Sequence, residues 1–275
     1  MPRSFKWFGA RVICLLSAAL FFFGTVTSSA QETVGIAHAA IRVADLARSR
    51  DFYQKLGFEE AFSMSKDGTP TQSFLKINDR QFIELYPRNY IDDPLGFMHV
   101  CFESEEIETL NLFYTNRYLS PKPVRKAGAG NLLFTMEGPE QQNIEYTQYM
   151  PGSKHTLDQG KHLGTNRISE NLVAVGIEMK NPAVAVAFYR EKLAFKPVHA
   201  FEPEQIGLEL PGQSHQHIEI GAHAQGSAFQ LVFSVFNLRE TELQLKSRNI
   251  DFNKEKTTLW VLDPDGNRIV FVKGK

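Results

Sequence analysis

Hydrophobic and polar positions change their period repeatedly along this chain. From Ala39 to Asp45 apolar and β-branched residues run together as in a strand. The next stretch, DLARSRDFYQKLGF, switches to helical spacing, with Leu46, Phe52, Tyr53 and Leu56 on one side, Asp45 placed as an N-cap and Gly57 as the stop. Strands are predicted at TQSFLKI and at QFIELYP, which ends at Pro87. A second unit repeats the order: GFMHVCFES as a strand, EEIETLNLFYTNRYL as a helix, then NLLFTM and QNIEYTQY as strands, with glycines and prolines between them.

The pattern returns after the polar stretch PGSKHTLDQGKHLGTNRISE. There LVAVGIEMKNPAVAVAFYREKLAF lies over IAHAAIRVADLARSRDFYQKLGF with one inserted residue, and HQHIEIG lies over QFIELYP. FQLVFSVFNLRETELQLKSRNI lies over MHVCFESEEIETLNLFYTNRYL, and LDPDGNRIVFV closes the chain where GPEQQNIEYTQY closed its first half. Repeats of this kind decide an architecture before single residues do. The expected fold is α+β: four βαβββ modules paired into two domains, residues 33–152 and 171–275, joined by a linker over 153–170.

Composition adds limits. The 275 residues carry a net charge of -1 and 43% hydrophobic residues, as in an ordinary globular protein with no basic stripe to collect nucleic-acid phosphates. Residues 1–30 stand apart: Arg3, Lys6 and Arg11 precede the uncharged run VICLLSAALFFFGTV, and Ser28 and Ala30 form a small-x-small exit. This is the pattern of a cleaved signal peptide, its apolar run shorter than the roughly 20 residues of a spanning helix. The mature chain is expected to be periplasmic or secreted, without stable membrane association. Cys14 lies inside that run, so Cys101 is left alone and no internal disulfide forms.

Candidate chemistry comes from comparing the first two modules. His38 opens the first strand of module one, and His99 that of module two, 61 residues later. Glu84 and Glu145, in the closing strands FIELYP and NIEYTQY, are also 61 residues apart. Taken singly, each is an ordinary strand residue. Together, equal spacing brings two histidines and two carboxylates to equivalent points around a pseudo-twofold axis. Strand alternation puts His38, Ala40 and Arg42 on one face, and Phe82, Glu84 and Tyr86 on one face. A carboxylate flanked by apolar strand residues is costly to bury unless paired or coordinated. Such a mixed nitrogen and oxygen set suits one divalent Zn, Ni, Fe(II), Mn or Co ion better than Ca or a thiolate-seeking metal.

HAAIRVADLARSRDFYQKLGF, FIELYP, GFMHVCF and NIEYTQY together resemble the vicinal oxygen chelate superfamily of glyoxalase I, extradiol dioxygenases, epimerases and bleomycin-resistance proteins. The resemblance implies glyoxalase-like domains, each a cupped mixed sheet with flanking helices, and His38, Glu84, His99 and Glu145 as ligands of one ion. Four ligands favour glyoxalase-type lyase or isomerase chemistry on a small substrate with adjacent oxygens, in which Glu145 or Glu84 shuttles a proton. Arg42 matches the arginine that glyoxalase I uses for a glutathione carboxylate, and Tyr86, on the Glu84 face, is a candidate substrate contact. The alternatives are an Fe(II) extradiol-type dioxygenase, whose site needs only two histidines and one carboxylate, and a non-catalytic binding or resistance protein. A homodimer is compatible with either.

The later modules carry Ala174, Glu219, Gln230 and Val270 at the equivalent positions. A second metal is not expected there; His215, His217 and His223 read as a polar loop entering a strand, and this half as structural or substrate-closing. His155 and His162 fall in the linker and are read as solvent-facing, with closure over the site as the alternative for either.

Overall fold

In the computed structural model, residues 1, 33–201, 204–222 and 229–274 are described. The expected signal peptide and His223 lie outside the described residues. The first module comprises β1 (Gly35–Val43), α1 (Leu46–Lys55), β2 (Glu60–Lys66), β3 (Thr69–Lys76) and β4 (Phe82–Pro87). The second comprises β5 (Gly96–Glu103), α2 (Ile107–Asn116), β6 (Arg125–Lys126), β7 (Leu132–Glu137) and β8 (Asn143–Gln148). A single helical turn, α3 (Lys154–Leu157), precedes the third module of β9 (Asn171–Met179), α4 (Pro182–Glu191), β10 (Lys196–Val198), β11 (Ile206–Glu209) and β12 (His217–Ala222). The fourth is β13 (Phe229–Val235), α5 (Leu238–Ser247), β14 (Asn253–Lys254), β15 (Thr258–Leu262) and β16 (Arg268–Lys273). The expected fold of four modules paired into two domains is the observed one.

Each pair of modules makes one eight-stranded sheet, ordered β2-β3-β4-β1-β5-β8-β7-β6 in the first half and β10-β11-β12-β9-β13-β16-β15-β14 in the second. At the centre of each, the opening strands of two modules run antiparallel: β1 on β5, β9 on β13. Outside them β4 and β8 pair in parallel. Strand parity then sorts the side chains. Ala39, Ile41 and Val43, with Ile83, Leu85, Val100, Phe102, Ile144 and Tyr146, enter the main hydrophobic core. His38, Glu84, His99, Cys101 and Glu145 take the opposite parity and stay out of it. β1 starts earlier than its apolar run predicts, at Gly35, because residues 35–36 already pair with β5. His38 is therefore the fourth residue of its strand, as His99 is of β5.

The helix boundaries follow the expected chemistry. The Asp45 side chain accepts from the Arg48 N–H at 3.0 Å. Gly57 takes φ of 92°, and a Cβ there would meet Arg167 Cα at 2.5 Å. Only glycine satisfies both demands.

The two sheets are locked reciprocally. Asp265, in the DPDGN turn, accepts from the Ala44 N–H at 3.1 Å, and Tyr53 of α1 donates to Asp263 at 3.1 Å. In the first half GPEQQN replaces that motif, yet Glu140 accepts from the Lys180 and Asn181 N–H groups at 3.0 and 2.7 Å. Tyr189 of α4 donates to Gln142 at 2.8 Å, as Tyr53 does to Asp263. Rings close the gap between halves, with Phe58 on Phe233 and Phe102 on Phe195.

Residues 153–170 are held more tightly than a polar linker implies. Lys76, fully buried, donates to the Asp158 carboxylate at 2.8 Å and to its carbonyl at 2.5 Å. His155 is buried rather than solvent-facing, whereas His162 is partly exposed and 2.5 Å from Asp158 Oδ1. Removing one member of a buried ion pair typically costs about 3–5 kcal/mol, because the other is left buried and uncompensated. Lys76→Met is expected to lower the unfolding free energy by about that amount in urea titration. A loss below about 1 kcal/mol would mean that Asp158 finds water instead.

Candidate metal centre

The central strand register builds the site. Ala40 pairs with His99 and His38 with Cys101 across β1 and β5, which brings both imidazoles to one face. The parallel pairs add the carboxylates symmetrically: Glu84 is opposite Ala40, and Glu145 is opposite Cys101. All four groups are buried.

The side chains then break the symmetry. His38 Nε2 is 3.1 Å from His99 Nε2 and 3.4 Å from Glu145 Oε1, and His99 Nε2 is 4.0 Å from that oxygen. Glu84 instead places Oε1 3.1 Å from His38 Nδ1, the nitrogen on the other side of the ring. That contact is close but off the line of N–H donation, so Nδ1 has no hydrogen bond. Tyr86 holds Glu84 there by donating to Oε2 at 2.8 Å. The repeat partner of Tyr86 is Thr147, whose hydroxyl is spent on the Leu132 carbonyl at 3.0 Å. With no equivalent tether, Glu145 turns toward the two histidines.

His38, His99 and Glu145 are the group of potential ligands found among the described residues, their donor atoms within 4.8 Å of one another. An ion about 2.1 Å from each donor sets neighbouring donors about 3.0–3.4 Å apart. Two of the observed edges meet that spacing, and the third needs Glu145 to move by a few tenths of an ångström. Two imidazole nitrogens facing each other at 3.1 Å also call for a cation or a proton between them. The residues present fit a divalent ion held by three ligands, with Glu84 outside the set as the partner of His38.

Protonation follows the same layout. Burial opposes charge on His38, but Glu84 and Glu145 outweigh it and hold its pKa above the usual imidazole value. His99 is pushed down to about 4 by burial and by His38. Glu145 is held at about 2: burial alone would raise it, but the hydrogen bond to His38 and the nearby imidazoles prevail. Burial raises Glu84 despite His38. Neutral His99 and ionised Glu145 are the forms a metal needs.

A cavity of about 170 Å³ opens beside these groups, lined by His38, Glu84, Tyr86 and Glu145 together with Gln72, Phe74, Arg125, Asn131 and His155. No described residue of the second sheet lines it, and from between the sheets α3 contributes His155 to the wall. Arg42 is not on this wall; its guanidinium donates to the Pro94 carbonyl at 3.1 Å. The cation on the wall is Arg125, whose two-residue strand carries no motif in the sequence. Asn131 was equally hidden, behind a turn, whereas His155 takes the alternative given for it, at the site rather than in solvent.

In the second sheet the equivalent floor has become core. Ala174, Val232 and Val270 form a small apolar cluster with Val272, and Trp260 packs against it. Glu219 is saturated by His217, Gln230 and the Phe201 N–H. His215 is exposed beside Glu209.

Residues 35–140 match the family model described as the Glyoxalase/Bleomycin resistance protein/Dioxygenase superfamily. No curated protein matches the chain. Solved structures share the fold, and three of them show its range. The Mn(II)-bound glyoxalase from Novosphingobium aromaticivorans aligns with a TM-score of 0.68 at 13% identity, covering 88% of this chain and 82% of that one. The 2,3-dioxygenase LapB from Pseudomonas sp. KL28 gives 0.67 at 16% identity, covering 88% and 93%. A variant of homoprotocatechuate 2,3-dioxygenase from B. fuscum gives 0.65 at 16% identity, covering 89% and 72%.

Metal-free protein is expected to lose stability in mild acid. His99 at about 4 and His155 at about 3 refuse protons that the unfolded chain accepts below about 6.5, so stability falls as pH drops through that window. His38 and Glu84 act with the opposite sign, their contributions present in acid and lost as pH rises past their elevated pKa values. His99 and His155 prevail between about pH 7 and 5, because the unfolded imidazoles take up their protons inside that window. Chelator-treated protein should show a lower Tm near pH 5 than near pH 7. An unchanged Tm would show that the buried imidazoles are not held neutral.

Proposed function

We propose that this chain, whose residues 35–140 form a domain of the Glyoxalase/Bleomycin resistance protein/Dioxygenase superfamily, is a metal-dependent dioxygenase of the extradiol type. Its substrate would be a small ring compound with two adjacent oxygens. The observation that carries this is the three-ligand geometry: His38, His99 and Glu145 converge while Glu84 lies 3.1 Å from the remote nitrogen of His38. Two histidines and one carboxylate with open positions are the ligand set of non-haem Fe(II) oxygenases. When bound, the ion would chelate the adjacent oxygens and supply the oxygen chemistry.

The chain's own residues define the rest. Glu84, whose hold on a proton burial strengthens, is the wall group placed to take one from a substrate hydroxyl, and Tyr86 fixes its direction. Phe74 and Leu133 offer apolar faces to a ring, and Arg125 a positive charge. At about 170 Å³ the cavity is smaller than the roughly 300–1,000 Å³ of sites for drug-sized ligands. That size, and an Arg42 turned away from it, support a small ring over a glutathione adduct. Export, as proposed from the signal-like pattern of residues 1–30, would point the same way, because glutathione-dependent detoxification is normally a cytoplasmic task.

Glyoxalase-type lyase chemistry is the second reading, favoured by Glu84 itself, a buried carboxylate within 3.1 Å of one ligand. The two readings separate on Glu84→Gln. With three ligands the variant keeps about one equivalent of metal and loses roughly 10–100-fold in affinity, the usual cost of a partner outside the ligand set. With four, it loses metal as completely as His99→Ala. Fe(II)-loaded protein is further expected to take up O2 in step with loss of a catechol. No uptake, together with isomerisation of a thiohemiacetal by the Ni or Zn form, would establish the lyase.

A further inference from the structure

One part of the cavity wall comes from neither module of the first sheet. His155 sits on α3 in the stretch between the sheets, and its ring lines the cavity with His38, Glu84 and Glu145. Its donor atoms are outside the three-ligand cluster. The segment is firmly placed. Ser153 caps α3 at Thr156, the Lys154 N–H donates to Ala129 at 2.8 Å, and Lys76 pins Asp158. Gly130, at φ of 96°, passes so near that a Cβ would meet Ser153 Cα at 3.1 Å.

The ring stacks on Tyr149 at 4.7 Å and meets Phe62, Phe74 and Phe82 edge-on at 5.0, 5.7 and 4.9 Å. It is 3% exposed, and neither ring nitrogen has a hydrogen-bond partner. Native structures rarely leave two polar atoms of one side chain buried and unsatisfied, and such atoms call for an explanation. On the same wall Asn131 donates to Thr147 but leaves its buried Oδ1 unpartnered. Burial, helped by His38, also holds His155 neutral, so it offers one donor and one acceptor and no charge.

We infer that His155 and Asn131 form a hydrogen-bonding subsite for the substrate, taking an uncharged polar substituent such as a hydroxyl, carbonyl or amide while the adjacent oxygens occupy the metal. The inference rests on the cavity being a substrate cavity, and it holds for oxygenase or lyase chemistry alike. His155 is then a substrate-binding residue that folding alone would be better off without. Replacing it by an apolar ring of similar size removes two unsatisfied atoms and should not destabilise the protein.

The test uses metal-loaded protein and 4-hydroxybenzohydroxamate, an aromatic chelator whose adjacent oxygens suit either chemistry and whose ring hydroxyl supplies the polar substituent, with unsubstituted benzohydroxamate as the control and binding followed by titration calorimetry. His155→Phe is expected to keep the wild-type metal content, keep or raise Tm, and weaken 4-hydroxybenzohydroxamate about tenfold, the worth of one lost hydrogen bond, while leaving benzohydroxamate nearly unchanged. His155→Gln, which retains a donor and an acceptor, should recover most of that affinity. A fall in Tm with unchanged affinity would make His155 structural and overturn the inference. Loss of metal from His155→Phe would make it a ligand, which also overturns it. Failure of wild-type metal-loaded protein to bind the probe would sink the substrate cavity itself, whereas a missing O2 uptake alone would sink only the dioxygenase reading.

Discussion

Two imidazole nitrogens are held 3.1 Å apart by a strand register, and much of the first half is organised by that approach. The antiparallel pairing of β1 and β5 leaves His38 and His99 no independent choice of position. Both side chains are buried, so water cannot screen the contact. With both Nε2 atoms free of hydrogen, as metal ligands must be, they face lone pair to lone pair, which makes a cation the natural occupant. Carboxylates supply the compensating charge, and the parallel pairs β1–β4 and β5–β8 deliver one from each module at the same depth.

Backbone symmetry and side-chain asymmetry coexist because repeat positions beside the two glutamates differ. Where module one has Tyr86 to tether its glutamate, module two has Thr147, which bonds its neighbouring strand. One carboxylate is thereby assigned to orient a histidine and the other is released to join it. A duplicated scaffold can thus change from four equivalent groups to three ligands and a supporting partner without moving a strand.

The repeat was legible because module order and the 61-residue interval are properties of the chain, not of any rotamer. Parity along strands also translated directly, placing His38, Glu84 and Tyr86 on one face and Tyr146 on the other, where it meets Tyr114. What one dimension could not carry was which nitrogen of His38 each carboxylate would choose. That depends on a hydroxyl two residues away and on the ring's rotation. Arg42 shares the right face by parity, yet its long side chain reaches Pro94 instead. His155 reads first as solvent-facing for a related reason: a stretch rich in polar residues looks solvated until its partners, buried Lys76 and an aromatic cage, are known.

The second sheet gains a reason to persist although its own floor has filled with Ala174, Val232 and Val270. Its closing turn satisfies the Ala44 N–H through Asp265 and the Tyr53 hydroxyl through Asp263, at the junction where β1 becomes α1. His38 lies six residues before that junction. A strand that must hold an imidazole against another imidazole, in a buried site, needs both ends fixed. One end is tied to the second half where Ile36 donates to Gln216 at 2.6 Å, and the other by Asp265. Loss of metal ligands from that half therefore need not imply loss of influence. By clamping β1 at both ends it maintains the register on which the surviving site depends.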